Sequence, residues 1–296
     1  MKSKFCYLSG RYVETEKAMI SALDRGFLFG EGLFETWRTY RGLPFALREH
    51  VQRMARSAKS LKIPFDAGAD WKGRTIELAR RNKMTDCGGA IRLTITAGSG
   101  EVTLVPTALK KPTQLMLFRP LEPGLAEARE GGVGVHLMDF GSGVSESFRN
   151  LKTLNYLPAV RGKVEARKRG CFESLYRLKD GTVLEGTTSN FFVVKDGKLH
   201  TTPVGDGILP GVTRALVLKV ASRVAPVIER RLHVDDLLDA DELFLTSSTI
   251  EVVPIIRIDK RKAGGGAAGE LTRELQQRYR KYAARRLGVK VEQLGE

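Results

Sequence analysis

The chain has 296 residues, 42% hydrophobic and 28% charged, a balance that excludes a disordered polymer and allows one large domain or two of ordinary size. Forty-nine lysines and arginines against 34 acidic residues give a net charge of +15, which suits a nucleic-acid surface, a site for small anions, or only a soluble exterior. Three widely spaced cysteines exclude a disulfide framework and a cysteine-rich zinc site, and they fit a cytoplasmic location.

The opening stretch, MKSKFCYLSGRYVETEKAM, lacks the continuous apolar core of a secretory signal. It reads as strand-turn-strand over 5–8 and 10–13. LFETWRTYRGLPFAL follows, with Arg41-Gly42 as the turn between two further strands. Leu47, Val51, Met54, Ala58 and Leu61 step by four and three residues, which predicts a helix with one apolar face and Arg53 at its edge. A second helix is expected over 71–82. Ile91, Leu93 and Ile95 alternate with Arg92, Thr94 and Thr96, as a half-buried strand does.

FRPLEPG, with two prolines and a glycine, marks a linker. Beyond it, Lys179-Asp180-Gly181 and Lys195-Asp196-Gly197 each separate two strand-like runs, a strong hairpin signal. A helix over 212–224, a strand over 242–246, a polar turn at 247–249 and a strand over 252–258 follow. Leu271, Leu275, Tyr279 and Tyr282 predict a final amphipathic helix with a solvated basic face. These elements read as two α+β domains with mainly antiparallel β-structure: residues 1–118, a linker at 119–124, and residues 125–296. No GxGxxG or P-loop pattern supports a nucleotide fold. Four histidines without an HxxxH pair predict no metal centre, and no apolar run approaches the roughly 20 residues that span a bilayer.

Four segments carry chemistry together. DRGFLFGEGLFET holds Gly26, Gly30 and Gly32, which permit sharp turns or close backbone approach. HVQR places Arg53 on a helix. LKTLNYL sets Lys152 among Leu154, Tyr156 and Leu157, an apolar context in which burial would lower an amine's pKa and favour Schiff-base chemistry. VLEGTTSNFFVV puts Glu185 at a strand end. GILPGVTRALVL then opens a helix at Gly211-Val212-Thr213, whose N–H groups and Thr213 hydroxyl suit a phosphate.

In this order the segments resemble the class IV, or fold-type IV, pyridoxal-phosphate enzymes. That family holds branched-chain aminotransferases, D-amino-acid transaminases and 4-amino-4-deoxychorismate lyase. The likeness runs over about residues 5–260, and its most specific parts are K-x-L-N from Lys152, E-G-x-x-S-N from Glu185 and L-P-G-x-T-R from Leu209. The resemblance implies a small N-terminal α/β domain, a larger C-terminal pseudo-barrel, pyridoxal 5′-phosphate between them, and a homodimer. It implies that Lys152 holds the cofactor as a Schiff base and moves the substrate proton. It pairs Glu185 with the pyridine nitrogen, beside Ser189 and Asn190. Arg53, Val212, Thr213, Ser248 and Thr249 match the phosphate ligands.

Substrate contacts are implied for Phe34, Arg92 and Tyr156. Arg92 in AIRLTIT matches the arginine of a YIRP segment, with Ala90 and Leu93 in place of its tyrosine and proline. Phe34 stands where D-amino-acid transaminases often carry tyrosine, and Tyr156 keeps an Asn-Tyr pair after the lysine. Thr96-Ala97-Gly98 replaces a Thr-Arg-Gly found in many lyases and D-amino-acid enzymes. The expected activity is transfer of an amino group from an amino acid, with a hydrophobic or branched-chain L-amino acid favoured, to a 2-oxo acid. The alternatives are 4-amino-4-deoxychorismate lyase, which eliminates pyruvate, a D-amino-acid transaminase, or a basic nucleic-acid-binding protein on the same scaffold. The favoured reading has no nucleic-acid and no membrane partner.

Overall fold

A computed structural model describes residues 3–105, 111–140 and 146–295. The chain divides into two compact units. The first takes Met1–Glu122, Leu151–Asn155 and Arg286–Glu296, and the second takes Pro123–Asn150 and Tyr156–Arg285.

The first unit holds β1 (Phe5–Leu8), β2 (Arg11–Glu14), α1 (Arg25–Phe29), β3 (Gly32–Tyr40), β4 (Leu43–Pro44), α2 (Leu47–Ser60), α3 (Trp71–Arg81), β5 (Gly89–Thr96) and β6 (Gln114–Pro120). The described strands form an antiparallel sheet in the order β2-β1-β6-β5-β3-β4. Its core joins Trp37 of β3, Ile91, Leu93 and Ile95 of β5, Met54 of α2 and Leu78 of α3. Arg92 and Thr94 of β5 stay partly exposed between those buried neighbours, as the alternation predicts. The expected linker at 119–124 starts too early. Arg119 pairs with Ala90 and Pro120 with Gly89, so only 121–124 leaves the sheet. A proline that lacks an N–H can still end a strand, and FRP misleads for that reason.

The second unit holds α4 (Leu125–Gly131), β7 (Val133–Asp139), α5 (Glu146–Arg149), α6 (Leu157–Lys168), β8 (Glu173–Arg177), β9 (Thr182–Gly186), β10 (Asn190–Lys195), β11 (Lys198–Thr201), α7 (Val212–Ala221), β12 (Val227–Glu229), β13 (Leu232–His233), α8 (Val234–Leu238), β14 (Glu242–Ser247), β15 (Glu251–Ile258), β16 (Arg261–Lys262) and all but the last two residues of α9 (Glu270–Leu287). The sheet runs β12-β11-β10-β14-β15-β7-β8-β9-β13, with β16 on β15. Both Asp-Gly hairpins form. Asp196 and Gly197 take φ of 49° and 68°, the left-handed pair that a two-residue hairpin needs. Phe192 stacks on Phe244 across β10 and β14, ring centroids 4.9 Å apart. β7 runs parallel to both β8 and β15, and β11 parallel to β12, so this sheet is more mixed than the antiparallel reading expected. α6 is the crossover that parallel β7 and β8 require.

Residues 151–155 separate from the expected second domain, 125–296, because they pair with β3. Phe34 N donates to Lys152 O at 2.9 Å, Leu154 N donates to Gly32 O at 3.1 Å, and Leu33 bridges Thr153. Gly32 permits this approach: a Cβ there would lie 2.5 Å from Ile95 O and 2.6 Å from Leu154 Cδ1.

Candidate active site

In the first unit, the pairing with β3 brings Lys152, Phe34 and Arg92 together. Phe34 is buried, and its ring centroid lies 4.6 Å from Lys152 Nζ and 3.5 Å from Arg92 Cζ. Phe34 faces Thr94 across the ladder, and Arg92 is two residues along, on the same face of β5. An amine and a guanidinium therefore share one aromatic ring, which attracts both cations. Two neighbouring positive groups also favour an anion such as a carboxylate.

β3 alternates, so Glu35 turns the other way, toward α2. Here Arg53 is buried. Its Nε donates to Glu35 Oε1 at 2.7 Å and its Nη2 to Glu35 Oε2 at 2.8 Å, a fork-to-fork pair. His50 Nδ1 meets Glu35 Oε2 at 2.7 Å; the carboxylate can only accept, so Nδ1 carries the proton. Burial alone would raise the Glu35 pKa. The charge and hydrogen bonds of Arg53, with those of His50, outweigh it and hold the carboxyl down to about 2. Burial pushes the His50 imidazole below its usual range, against the pull of Glu35 and with help from the Arg53 and Lys152 charges. Glu35 and His50 lay inside the recognised FGEGLFET and HVQR segments, but no spacing rule paired them with Arg53.

In the second unit, Glu185 is the last residue but one of β9. Leu209 N donates to its two oxygens at 3.1 and 3.2 Å, and Asn190 Nδ2 donates at 3.1 Å. The same Asn190 amide reaches Leu209 O at 3.1 Å. Asn190 thus ties Glu185 to the segment that enters α7. Gly211 is the N-cap of α7 and provides no side-chain cap. A Cβ on Gly211 would lie 1.9 Å from Asn190 Oδ1, so any larger residue would have to displace the amide that holds Glu185. Val212 and Thr213, both buried, open the helix, where N–H groups and the helix dipole favour an anion. Ser248 and Thr249 are partly exposed in the turn between β14 and β15. Thr246, opposite Asn190, has a buried hydroxyl with no hydrogen-bond partner among the described residues.

Ser189 lies in the expected segment, but its hydroxyl turns to Glu173 at 3.2 Å. Tyr156 is the N-cap residue of α6, and its hydroxyl donates to Thr187 O at 3.4 Å. Among the described residues no group of three or more His, Cys, Asp or Glu could hold a metal ion. Among the same residues no helix is long and apolar enough to cross a membrane.

An acceptor-only carboxylate and a side-chain-free helix N-terminus, joined by one asparagine, suit a molecule with a protonated ring nitrogen at one end and a phosphate at the other. Comparison with known proteins points the same way. The family described as Amino-transferase class IV matches residues 32–258. A protein of Methanocaldococcus jannaschii assigned as a branched-chain-amino-acid aminotransferase is 36% identical, covering 96% of this chain and 98% of its own. The aminodeoxychorismate lyase of Bacillus subtilis is 34% identical, over 93% of each chain. The crystal structure of the branched-chain aminotransferase from Thermoproteus uzoniensis with norvaline superposes with a TM-score of 0.86 and 30% identity, covering 99% of this chain and 97% of that one. The chain belongs to the class IV aminotransferase family, the pyridoxal-phosphate-dependent transaminases of fold-type IV.

Proposed function

We propose that this transaminase binds pyridoxal 5′-phosphate and transfers the amino group of a hydrophobic or branched-chain L-amino acid to a 2-oxo acid, as a cytoplasmic homodimer. One observation carries the cofactor assignment: Asn190 holds the Glu185 carboxylate beside the entry to α7, so a ring-nitrogen partner and a phosphate site come as one construction. The bound cofactor would supply an electron sink for charge at the substrate Cα. Glu185 keeps a proton on the ring nitrogen, and Asn190 orients it. The N–H groups of Val212 and Thr213 would bind phosphate with the hydroxyls of Thr213, Ser248 and Thr249, and Arg53, which Glu35 holds in one plane, is the candidate phosphate ligand of the first unit. Lys152 Nζ carries the cofactor and moves the proton from the substrate Cα.

Arg92 receives a substrate carboxylate, and Phe34 and Tyr156 line the side-chain site. The absence of a hydroxyl on Phe34 and the relatives named for branched-chain amino acids support an apolar side chain. A second copy suits the exposed apolar stripe of Leu157, Val160 and Val164, three and four residues apart on α6. Three free cysteines suit a reducing compartment.

The test is the visible spectrum of the cofactor-loaded protein during addition of single donors. L-leucine, L-isoleucine or L-valine is expected to replace the visible band with that of the cofactor's amine form, while D-alanine leaves it unchanged. A band that resists every donor would move the assignment to pyruvate elimination, the chemistry of the lyase relative. Glu185→Gln is expected to lower kcat by roughly 10²- to 10³-fold, because the ring nitrogen loses the anionic partner that keeps it protonated and electron-withdrawing, with cofactor affinity within a few-fold. An unchanged kcat would place the ring-nitrogen partner elsewhere.

A further inference from the structure

Glu173, the first residue of β8, is fully buried, and none of the roles above uses it. Its carboxyl gathers the hydroxyls of three consecutive residues. Thr187 Oγ1 donates to Oε1, Thr188 Oγ1 donates to Oε2 at 2.8 Å, and Ser189 Oγ donates to Oε2 at 3.2 Å. Ser174 N adds a bond at 3.0 Å, and Lys163 Nζ of α6 lies 3.2 Å from Oε2. Thr188 is exposed, yet its hydroxyl turns inward to this carboxyl.

Residues 187–189 are the whole connection between β9 and β10. Glu185 stands just before this turn and Asn190 just after it, and the two meet at 3.1 Å. The turn closes on itself through Gly186 N to Ser189 O at 2.7 Å, and it is pinned to β8 through Thr187 N to Ser174 O at 3.0 Å. Besides the ties of both residues to Leu209, the chain that joins Glu185 to Asn190 is Gly186 and three hydroxyl residues, and all three are bound to one buried acid. A buried carboxylate is stable only when its oxygens are satisfied, so Glu173 and the turn determine each other. Glu173 and Glu185 also bracket Tyr176. Its phenol is pushed up by burial first and then by the charges of Glu173, Tyr156 and Glu185.

We infer that Glu173 is a positioning residue for the reaction: through Thr187, Thr188 and Ser189 it fixes Glu185 where it can hold the proton on the cofactor's ring nitrogen. This rests on the proposed role of Glu185. A carboxylate that drifts by about an ångström loses that proton while the phosphate end of the site still binds, and misplacement on this scale costs about 10²-fold in rate.

The test uses the holoenzyme loaded with cofactor carrying ¹⁵N in the ring, whose chemical shift reports protonation of that nitrogen. Glu173→Gln keeps the shape but turns an amide donor toward hydroxyls and Lys163 that also donate. It is expected to move the nitrogen signal from its protonated toward its neutral position, in the direction of Glu185→Gln. Its kcat is expected to fall about 10- to 10²-fold, with cofactor affinity within a few-fold. Thr188→Val removes one hydroxyl from an exposed position and leaves the fold intact. It is expected to give a smaller shift in the same direction and a several-fold loss of kcat. If Glu185→Gln moves the signal while Glu173→Gln and Thr188→Val leave both signal and kcat unchanged, Glu173 is only structural and the inference is overturned. If Glu185→Gln itself leaves the signal in place, the cofactor assignment fails and this inference with it.

Discussion

Lys152→Ala is expected to remove turnover, by at least about 10⁴-fold, and to abolish the visible band of the bound cofactor. The size follows from the two duties of one atom. In the proposed reaction Nζ would both carry the cofactor and move the proton at the substrate Cα, and the other cation on the Phe34 ring, Arg92, cannot deprotonate to replace it. The fold is expected to survive. The Lys152 side chain is only partly buried, and the segment's ties to β3 are backbone bonds and the Leu33–Thr153 bridge, which alanine keeps. Stability should stay within about 1 kcal/mol of wild type. Normal turnover with normal melting would refute the assignment of Lys152. Lost turnover with lost melting would instead mean that residues 151–155 are needed to build the first unit.

How much of this could be read in the sequence depended on the range of the interaction. The hairpins at Asp180-Gly181 and Asp196-Gly197, the apolar face of α2 and the alternation of β5 are local patterns, and they formed as expected. The chemistry-bearing segments were recognisable because their motifs are short and dense. Failures came from contacts between distant residues. Residues 151–155 were assigned to the second domain by chain order, whereas their hydrogen bonds go to β3 more than a hundred residues earlier. α6 was not anticipated, because its exposed Leu157, Val160 and Val164 obscure the usual amphipathic pattern. Glu173 carried no signal at all, since FESLY reads as an ordinary strand until the turn at 187–189 folds onto it. Periodicity placed Arg53 only at the edge of an apolar helix face, and that rule cannot see an acid on a neighbouring strand.

That acid is the subject of the second large effect. Glu35→Gln is expected to destabilise the first unit by about 3–5 kcal/mol at pH 7, because it strands the buried Arg53 charge without its partner. Both tryptophans, Trp37 and Trp71, lie in the core of this unit, so denaturant unfolding followed by tryptophan fluorescence reads it directly. The pH dependence identifies the cause. Glu35 titrates near its ordinary value of 4.5 when unfolded and at about 2 when folded, so between these limits the unfolded chain binds the extra proton. Its contribution, about 3 kcal/mol, is complete above pH 4.5 and is lost as the pH falls toward 2. His50 acts in the same direction from higher pH, since its folded pKa lies below 6.5 and the unfolded chain takes up that proton first. Wild type should therefore lose its advantage over Glu35→Gln between pH 4.5 and 2, with the two stability curves converging. Curves that stay parallel to acid pH would mean that Glu35 is not an ionised partner of Arg53. The same variant should bind pyridoxal phosphate less tightly but pyridoxal almost unchanged if the guanidinium that Glu35 orients serves the phosphate, as proposed. An equal loss for both ligands would remove Arg53 from the phosphate site.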